Sequence, residues 1–263
     1  MSVNAPGWLT ARPIAHRGLH DCARGVAENS LAAARAAVAH DFAIECDVRL
    51  SADEEVFVFH DDDLDRLTDL PGPFAARRGA EIRAAHLKGS QESPPAFADF
   101  LAAVAGRTPI VCELKSRFDR DWRLVDRIVP FAASYAGPLA FKSFDPDMIA
   151  YLRLRWPGLG PSGAPCPVGV VAEASYEDPD WGCLTAEQKA SLAAFDHRGR
   201  SLPDFLSWSV DDLPHATPFF EKELRGLPVM AWTVRTAAQR EAAGKWADQI
   251  VFEGDAGARF RRR

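Results

Sequence analysis

The sequence predicts an α/β fold, a (β/α)8 TIM barrel with a small insertion after the second-strand hairpin. Three observations point there. Short β-rich runs alternate with longer helical stretches along the chain, as in a parallel sheet with helical crossovers. Several of those runs are almost continuously apolar, as expected of strands covered on both faces. Nine strand candidates reduce to the eight of a closed barrel once two neighbours are read as a hairpin.

Taken in order, Pro13 to His16 is the first strand, and Asn29-Ser30-Leu31 opens an Ala-rich helix to about His40. Ala43 to Leu50 and Val56 to His60 follow. The six residues from Ser51 to Val56 cannot hold a crossover helix, which takes about a dozen residues, so these two strands fold back on each other. Asp61 to Pro95 is polar and carries turn residues at Pro71-Gly72-Pro73 and Gly89-Ser90. A helix over Ala96–Ala105 leads to a strand at Pro109–Leu114. Later strands are Pro138–Phe144, Val168–Val171, Phe205–Val210, Val229–Val234 and Gln249–Phe252. Amphipathic stretches at Trp122–Ala133, Met148–Arg155, Thr185–Phe195 and Thr217–Arg225 lie between them. No linker or charge block divides the chain, so residues 1–263 read as one domain.

The 263 residues can bury a large core without metal or disulfide staples. With 47% apolar and 26% charged residues, the composition excludes fibres, disorder and membrane spans. The net charge of −6 argues against a general nucleic-acid grip, since phosphate binding needs clustered Lys and Arg. The one basic run, Arg259 to Arg263, reads as a solvated tail. Residues Met1 to Arg12 have no secretory pattern, and the five cysteines are odd in number without CxxC spacing. Cys46 and Cys112 read as small buried hydrophobes. A reduced, cytoplasmic protein with no stable membrane anchor is expected.

Polar residues embedded in strands carry the chemistry. Glu45 and Asp47 stand at i and i+2, which puts both carboxylates on one strand face and Ile44, Cys46 and Val48 on the other. Glu113 and Lys115 repeat the spacing. Adjacent buried carboxylates repel unless a cation holds them, so Glu45, Asp47 and Glu113 describe a site for a hard divalent ion. A structural salt-bridge network through Lys115 and Arg49 is the competing reading. His16 and His60 end strands, and strand ends collect at the barrel rim where active sites lie. Beside a metal they suit a general acid and a general base; alone, each is a structural residue or a ligand. Arg17 and Lys115 add cations fit for an anionic phosphate. The remaining five histidines lack strand-end contexts.

With these residues in place the chain resembles the glycerophosphodiester phosphodiesterase family, which has a TIM-barrel fold. The matching elements are His16-Arg17-Gly18, Glu28-Asn29-Ser30, Ile44-Glu45-Cys46-Asp47-Val48, His60-Asp61, Leu64-Asp65-Arg66, Glu113-Leu114-Lys115, Ser143-Phe144 and Trp232-Thr233-Val234, in the family's order. The resemblance implies hydrolysis of glycerophosphodiesters to glycerol 3-phosphate and an alcohol. It implies His16 and His60 as the acid–base pair and Glu45, Asp47 and Glu113 as ligands of one divalent cation, Mg2+ in preference to Ca2+. Arg17 and Lys115 would contact the phosphate. Glu28 would be a further ligand or orient Arg17, and Asn29, Phe144 and Trp232 are supporting candidates. Residues 61–95 match the family's insertion after its second histidine. The nucleophile is left open between water and the substrate's own glycerol hydroxyl.

Three departures stand out. Ser30 replaces a Thr but keeps the capping hydroxyl. Asp53-Glu54-Glu55 replaces an Asp-Gly turn, where a positive φ would disfavour Glu. The segment from Ala247 to Gly254 replaces the usual Asp-Gly-Ile-x-Thr-Asp and puts the substrate pocket, rather than the metal centre, in question. Trp208, Trp232, Phe141 and Phe144 compete between walling an alcohol pocket and packing the core. Rival functions are a metal-dependent phospholipase, a non-catalytic binding module and a glycosidase-type barrel. The phospholipase lacks a basic amphipathic helix, the binding module would not need the intact residue set, and the histidine pair fits a glycosidase poorly.

Overall fold

The computed structural model describes residues 5–157 and 166–259. Its first elements are β1 (Ile14–Ala15), α1 (Leu31–Ala39), β2 (Ala43–Leu50), β3 (Val56–Val58), α2 (Gly79–Ala84) and α3 (Phe97–Val104). The middle of the chain forms β4 (Ile110–Leu114), α4 (Arg123–Ser134), β5 (Leu139–Ser143), α5 (Pro146–Arg155) and β6 (Val168–Ala172). It continues with α6 (Ala186–Ala194), α7 (Arg198–Ser201), β7 (Phe205–Ser209) and α8 (Ala216–Arg225). Last come β8 (Val229–Val234), α9 (Ala237–Trp246) and β9 (Gln249–Phe252). Most of the basic tail, residues 260–263, lies outside the described residues.

Although β1 has two residues, it closes the sheet, pairing in parallel with β2 on one side and β9 on the other. The eight parallel strands β1, β2, β4, β5, β6, β7, β8 and β9 form the barrel, and β3 lies antiparallel outside β2. The predicted hairpin is therefore present. Its turn places Glu54 at φ +60°, the conformation the sequence disfavours. Arg123 and Arg127 pair with the Glu54 carboxylate, and Ser51 accepts the Glu55 N–H at 2.9 Å, which offset a backbone cost of about 1 kcal/mol.

Alternation along the strands divides two apolar layers. Ile44, Cys46, Val48, Ile110, Cys112 and Leu114 point outward into the main core between barrel and helices. Ile14, Ala43, Val111, Ala140, Phe205, Met230 and Val251 point inward at the amino-terminal end, where Leu9 plugs the barrel floor. Above that apolar floor the inward positions become charged. Between β3 and α3, residues 61–95 wrap a satellite cluster of Phe57, Phe59, Leu64, Phe74, Ile82 and Leu87. Helix α9 has no counterpart in the sequence reading, because only Ala243 is fully buried and the apolar stripe is too thin to register. Among the described residues, no helix is long and apolar enough to cross a membrane.

Candidate active site

The carboxyl ends of the barrel strands open onto one cleft of about 910 Å3. His16, Arg17, Asp47, His60, Glu113, Lys115, Phe144 and Trp232 all line it. Glu45 lies directly beneath, fully buried. The i, i+2 spacing and the pairing of Asp47 with Glu113 across β2 and β4 bring three carboxylates into one inward cluster. One ligand atom from each of Glu45, Asp47 and Glu113 lies within 4.8 Å of the others. Glu45 Oε1 and Asp47 Oδ1 are fully buried, each beside a lysine ammonium, Lys142 Nζ at 3.0 Å and Lys115 Nζ at 2.9 Å. Three buried carboxylates facing one another fit a hard divalent cation, which takes carboxylate oxygens as ligands.

The loop after β1 holds the cluster's other side. Arg17 takes φ +55° and its N–H donates to Glu45 Oε2 at 3.1 Å. Gly18 follows at φ +78°, and a Cβ there would lie 2.8 Å from Ala33 of α1, so only glycine lets this loop sit against the helix. Ser30 caps α1 by accepting the Ala33 N–H at 3.0 Å, so the hydroxyl does the work expected of it. Beside it, Asn29 donates from Nδ2 to Asp47 Oδ2 at 2.9 Å and accepts the Asp47 N–H at 3.3 Å.

Glu28 stands away from the carboxylate cluster and binds guanidinium groups instead. Its carboxylate accepts from Arg17 Nη1 at 2.6 Å and from Arg66 Nη1 and Nη2 at 2.9 and 2.8 Å. Arg66 in turn reaches Asp61 at 2.6 Å, and Asp61 Oδ1 meets His60 Nδ1 at 2.7 Å. A chain of alternating charge thus runs from His60 through Asp61, Arg66, Glu28 and Arg17 to Asp47. Burial opposes ionisation of Asp61, but His60 and Arg66 hold its carboxyl well below the usual range. Burial likewise opposes ionisation of Asp47, which Lys115, His60 and Arg17 more than offset.

His60 reaches the rim by a route that strand order alone does not suggest. It follows an antiparallel strand, which runs back toward the barrel. Because β2 continues beyond the rim to Leu50, the return through β3 brings Phe59 down to bond the Asp47 carbonyl at 2.9 Å, level with the carboxylates. Arg49 does not join the carboxylates; its Nε donates to the His60 carbonyl at 2.7 Å and Nη1 pairs with Asp62 at 2.5 Å.

Two residues escaped the sequence reading. Glu253, just past β9, brings Oε1 to 2.6 Å from His16 Nδ1, and Arg235 binds its other oxygen at 2.7 Å. Burial opposes its charge, but His16 and Arg235 hold it ionised. The atypical segment from Ala247 to Gly254 therefore touches a candidate catalytic histidine, where only pocket shape was expected to change. Lys142 sits in β5 as the partner of Glu113. The parity argument that found Glu45 and Asp47 would have found it: a lysine interrupting Leu139-Ala140-Phe141 points inward. The four late-strand aromatics divide evenly. Trp208 and Phe141 are core residues, whereas Phe144 and Trp232 meet edge-on at 5.4 Å in the cleft, with Trp181 tilted against Phe144 at 4.8 Å. Across the cleft, burial together with Asp212, Asp178 and Asp180 raises Glu173 to about 7 against its bond from Trp181.

The fold and site define a (β/α)8 barrel with a buried acidic cluster at its carboxyl-terminal rim, flanked by two carboxylate-backed histidines and several cations. Residues 16–254 match the model of the glycerophosphoryl diester phosphodiesterase family, and the chain belongs to that family; it is a phosphoric diester hydrolase. No curated protein matches the sequence significantly. Among solved structures, an Oleispira antarctica phosphodiesterase in complex with the product sn-glycerol-3-phosphate is similar at 20% identity and a TM-score of 0.72, over 94% of this chain and 93% of that one. Glycerophosphodiester phosphodiesterases from Thermotoga maritima (19% identity) and Parabacteroides distasonis (20%) each align at a TM-score of 0.66, over 92% of this chain and 94% of theirs. At these identities the likeness establishes the shared barrel.

Proposed function

We propose that this protein hydrolyses glycerophosphodiesters to glycerol 3-phosphate and an alcohol, with a divalent cation at Glu45, Asp47 and Glu113 and with His16 and His60 moving the protons. The observation that carries the reading is the convergence of three carboxylates and both histidines in one cleft. Mg2+ is the ion we favour over Ca2+, and the cytoplasm is the compartment. Residues 1–263 act as one domain, with 61–95 as an insertion.

A bound divalent ion would supply Lewis-acid stabilisation of the charge that builds on the non-bridging phosphate oxygens. The chain's own groups do the rest. Arg17 lines the cleft with its guanidinium held by Glu28 and facing Asp47, which orients the cation for a phosphate oxygen. Lys115 brings a second cation to the same wall. The Nδ1 atoms of both histidines are engaged by carboxylates, which leaves each Nε2 to take or give a proton. One histidine deprotonates the nucleophile as the other protonates the leaving alcohol. Phe144 and Trp232 offer an apolar wall for the alcohol. The product carried by the Oleispira antarctica relative supports a glycerol 3-phosphate half-site.

The test is a glycerol 3-phosphate release assay across a panel of glycerophosphodiesters, lysophospholipids and intact phospholipids. Turnover on the water-soluble diesters is expected. Turnover confined to lipids would move the assignment to a phospholipase.

A further inference from the structure

The floor of the acidic cluster contains a cation that belongs to the protein itself. Lys142 is the register partner of Glu113, which is the partner of Asp47, so the three side chains share one inward layer of the barrel. The Lys142 side chain is 3% exposed. Its Nζ lies 3.0 Å from Glu45 Oε1 and 3.4 Å from Glu113 Oε2. Lys115 takes the opposite side, with Nζ 2.5 Å from Glu113 Oε1 and 2.9 Å from Asp47 Oδ1. Every carboxylate of the cluster thus faces an ammonium, and Glu113 faces both.

The two lysines are not equivalent. Lys115 lies past the end of β4, in the cleft wall, where its long side chain can turn toward a ligand. Lys142 is rooted within β5, bonded to strands on both sides, with its stem enclosed by the barrel interior. Its Nζ reaches the floor of the cleft, where Glu45 and Glu113 are its ion-pair partners. Glu45 Oε1, one of the oxygens that suit a divalent ion, therefore lies against a buried positive charge of the protein's own.

We propose that Lys142 is a resident counter-cation that holds down the affinity of this site for its divalent ion. The inference rests on the reading of Glu45, Asp47 and Glu113 as the ion's ligands. Three carboxylates and two ammonium groups leave a cluster charge of about −1, and removal of Lys142 leaves about −2. An incoming ion must share Glu45 with a buried ammonium 3.0 Å away, and like charges close together in a poorly solvated interior repel strongly. In return, Lys142 keeps the buried carboxylates from repelling one another before an ion arrives. The barrel can then fold and persist free of metal, and it takes up the ion reversibly.

The experiment is calorimetric titration of Mn2+, a hard stand-in for Mg2+, into EDTA-stripped full-length protein, with Mn2+ electron paramagnetic resonance as a second measure of bound ion. Wild type is compared with Lys142→Met and with Lys142→Gln. The glutamine keeps an N–H donor toward Glu45 without the charge and covers the case in which the methionine variant fails to fold. Dissociation constants at least tenfold tighter than wild type are expected, together with a larger Mn2+-induced rise in Tm. Affinity within twofold of wild type, or weaker, would overturn the role of Lys142 and leave the ligand reading standing. Absence of Mn2+ binding in wild type and variants alike would overturn both.

Discussion

His16 Nδ1 lies 2.6 Å from Glu253 Oε1, and Arg235 anchors the far oxygen of the same carboxylate. The arrangement is repeated across the cleft by His60, Asp61 and Arg66. In each, a carboxylate fixes the ring's orientation through Nδ1 and is itself held by a guanidinium, so both imidazoles present Nε2 to the same space. Glu253→Gln would keep a side chain of the same length and remove the charge that orients His16. A fall in kcat of about 100-fold with KM changed by no more than a few-fold is expected from steady-state kinetics. A rise in KM alone would show that Glu253 serves substrate binding.

Asn29 grips both the carboxylate and the backbone of Asp47. Asn29→Ala would leave a buried carboxylate oxygen without its donor, at a cost of about 2 kcal/mol in unfolding free energy. Groups that orient metal ligands typically matter about 10- to 100-fold to affinity, so Mn2+ binding should weaken by about tenfold or more. Denaturant unfolding and metal titration of the same variant check the two effects separately.

His197 supplies a pH dependence remote from the catalytic cleft. It is 2% exposed, and burial lowers its pKa to about 4. The unfolded chain therefore binds a proton that the folded chain refuses. The stabilisation is complete above about pH 6.5 and is lost as pH falls toward 4, amounting to about 3 kcal/mol at most. Denaturant unfolding at pH 7 and pH 4.5 should show a smaller loss of stability in His197→Gln than in wild type. Equal losses would remove His197 as the cause.

Phe205 fills the barrel floor with no solvent exposure, and a Cβ on Gly169 in the neighbouring strand would collide with its ring. Phe205→Ala should cost about 4 kcal/mol in unfolding free energy through the cavity it leaves. Calorimetry and metal titration together would show a lower Tm with metal affinity within a few-fold of wild type.

The barrel was legible because its strands announce themselves twice, as apolar runs and as alternating faces. The same period-two rule delivered Glu45, Asp47 and Glu113, since an inward carboxylate in a strand has few ordinary explanations. The rule holds equally for Lys142, but a single lysine after an apolar run lacks the i, i+2 charged partner that marks Glu45 with Asp47 and Glu113 with Lys115. Glu253 was hidden for another reason. It is remote in sequence from His16, and only barrel closure between β1 and β9 makes them neighbours. His60 was placed at the rim by the right residue and an incomplete argument, because the overrun of β2 decides where the return strand ends. Helix α9 left no stripe to read.

On the proposed function, one metal-bearing cluster and one histidine pair act together on a phosphodiester. Glycerol 3-phosphate release from a water-soluble glycerophosphodiester, by wild type and His16→Ala, with EDTA and after re-addition of Mg2+, tests that joint action. Turnover should be lost in EDTA and recover with Mg2+ in wild type, and His16→Ala should show a drop of about 10³-fold that Mg2+ does not restore. Turnover that survives chelation, or that survives loss of the His16 imidazole, would contradict it.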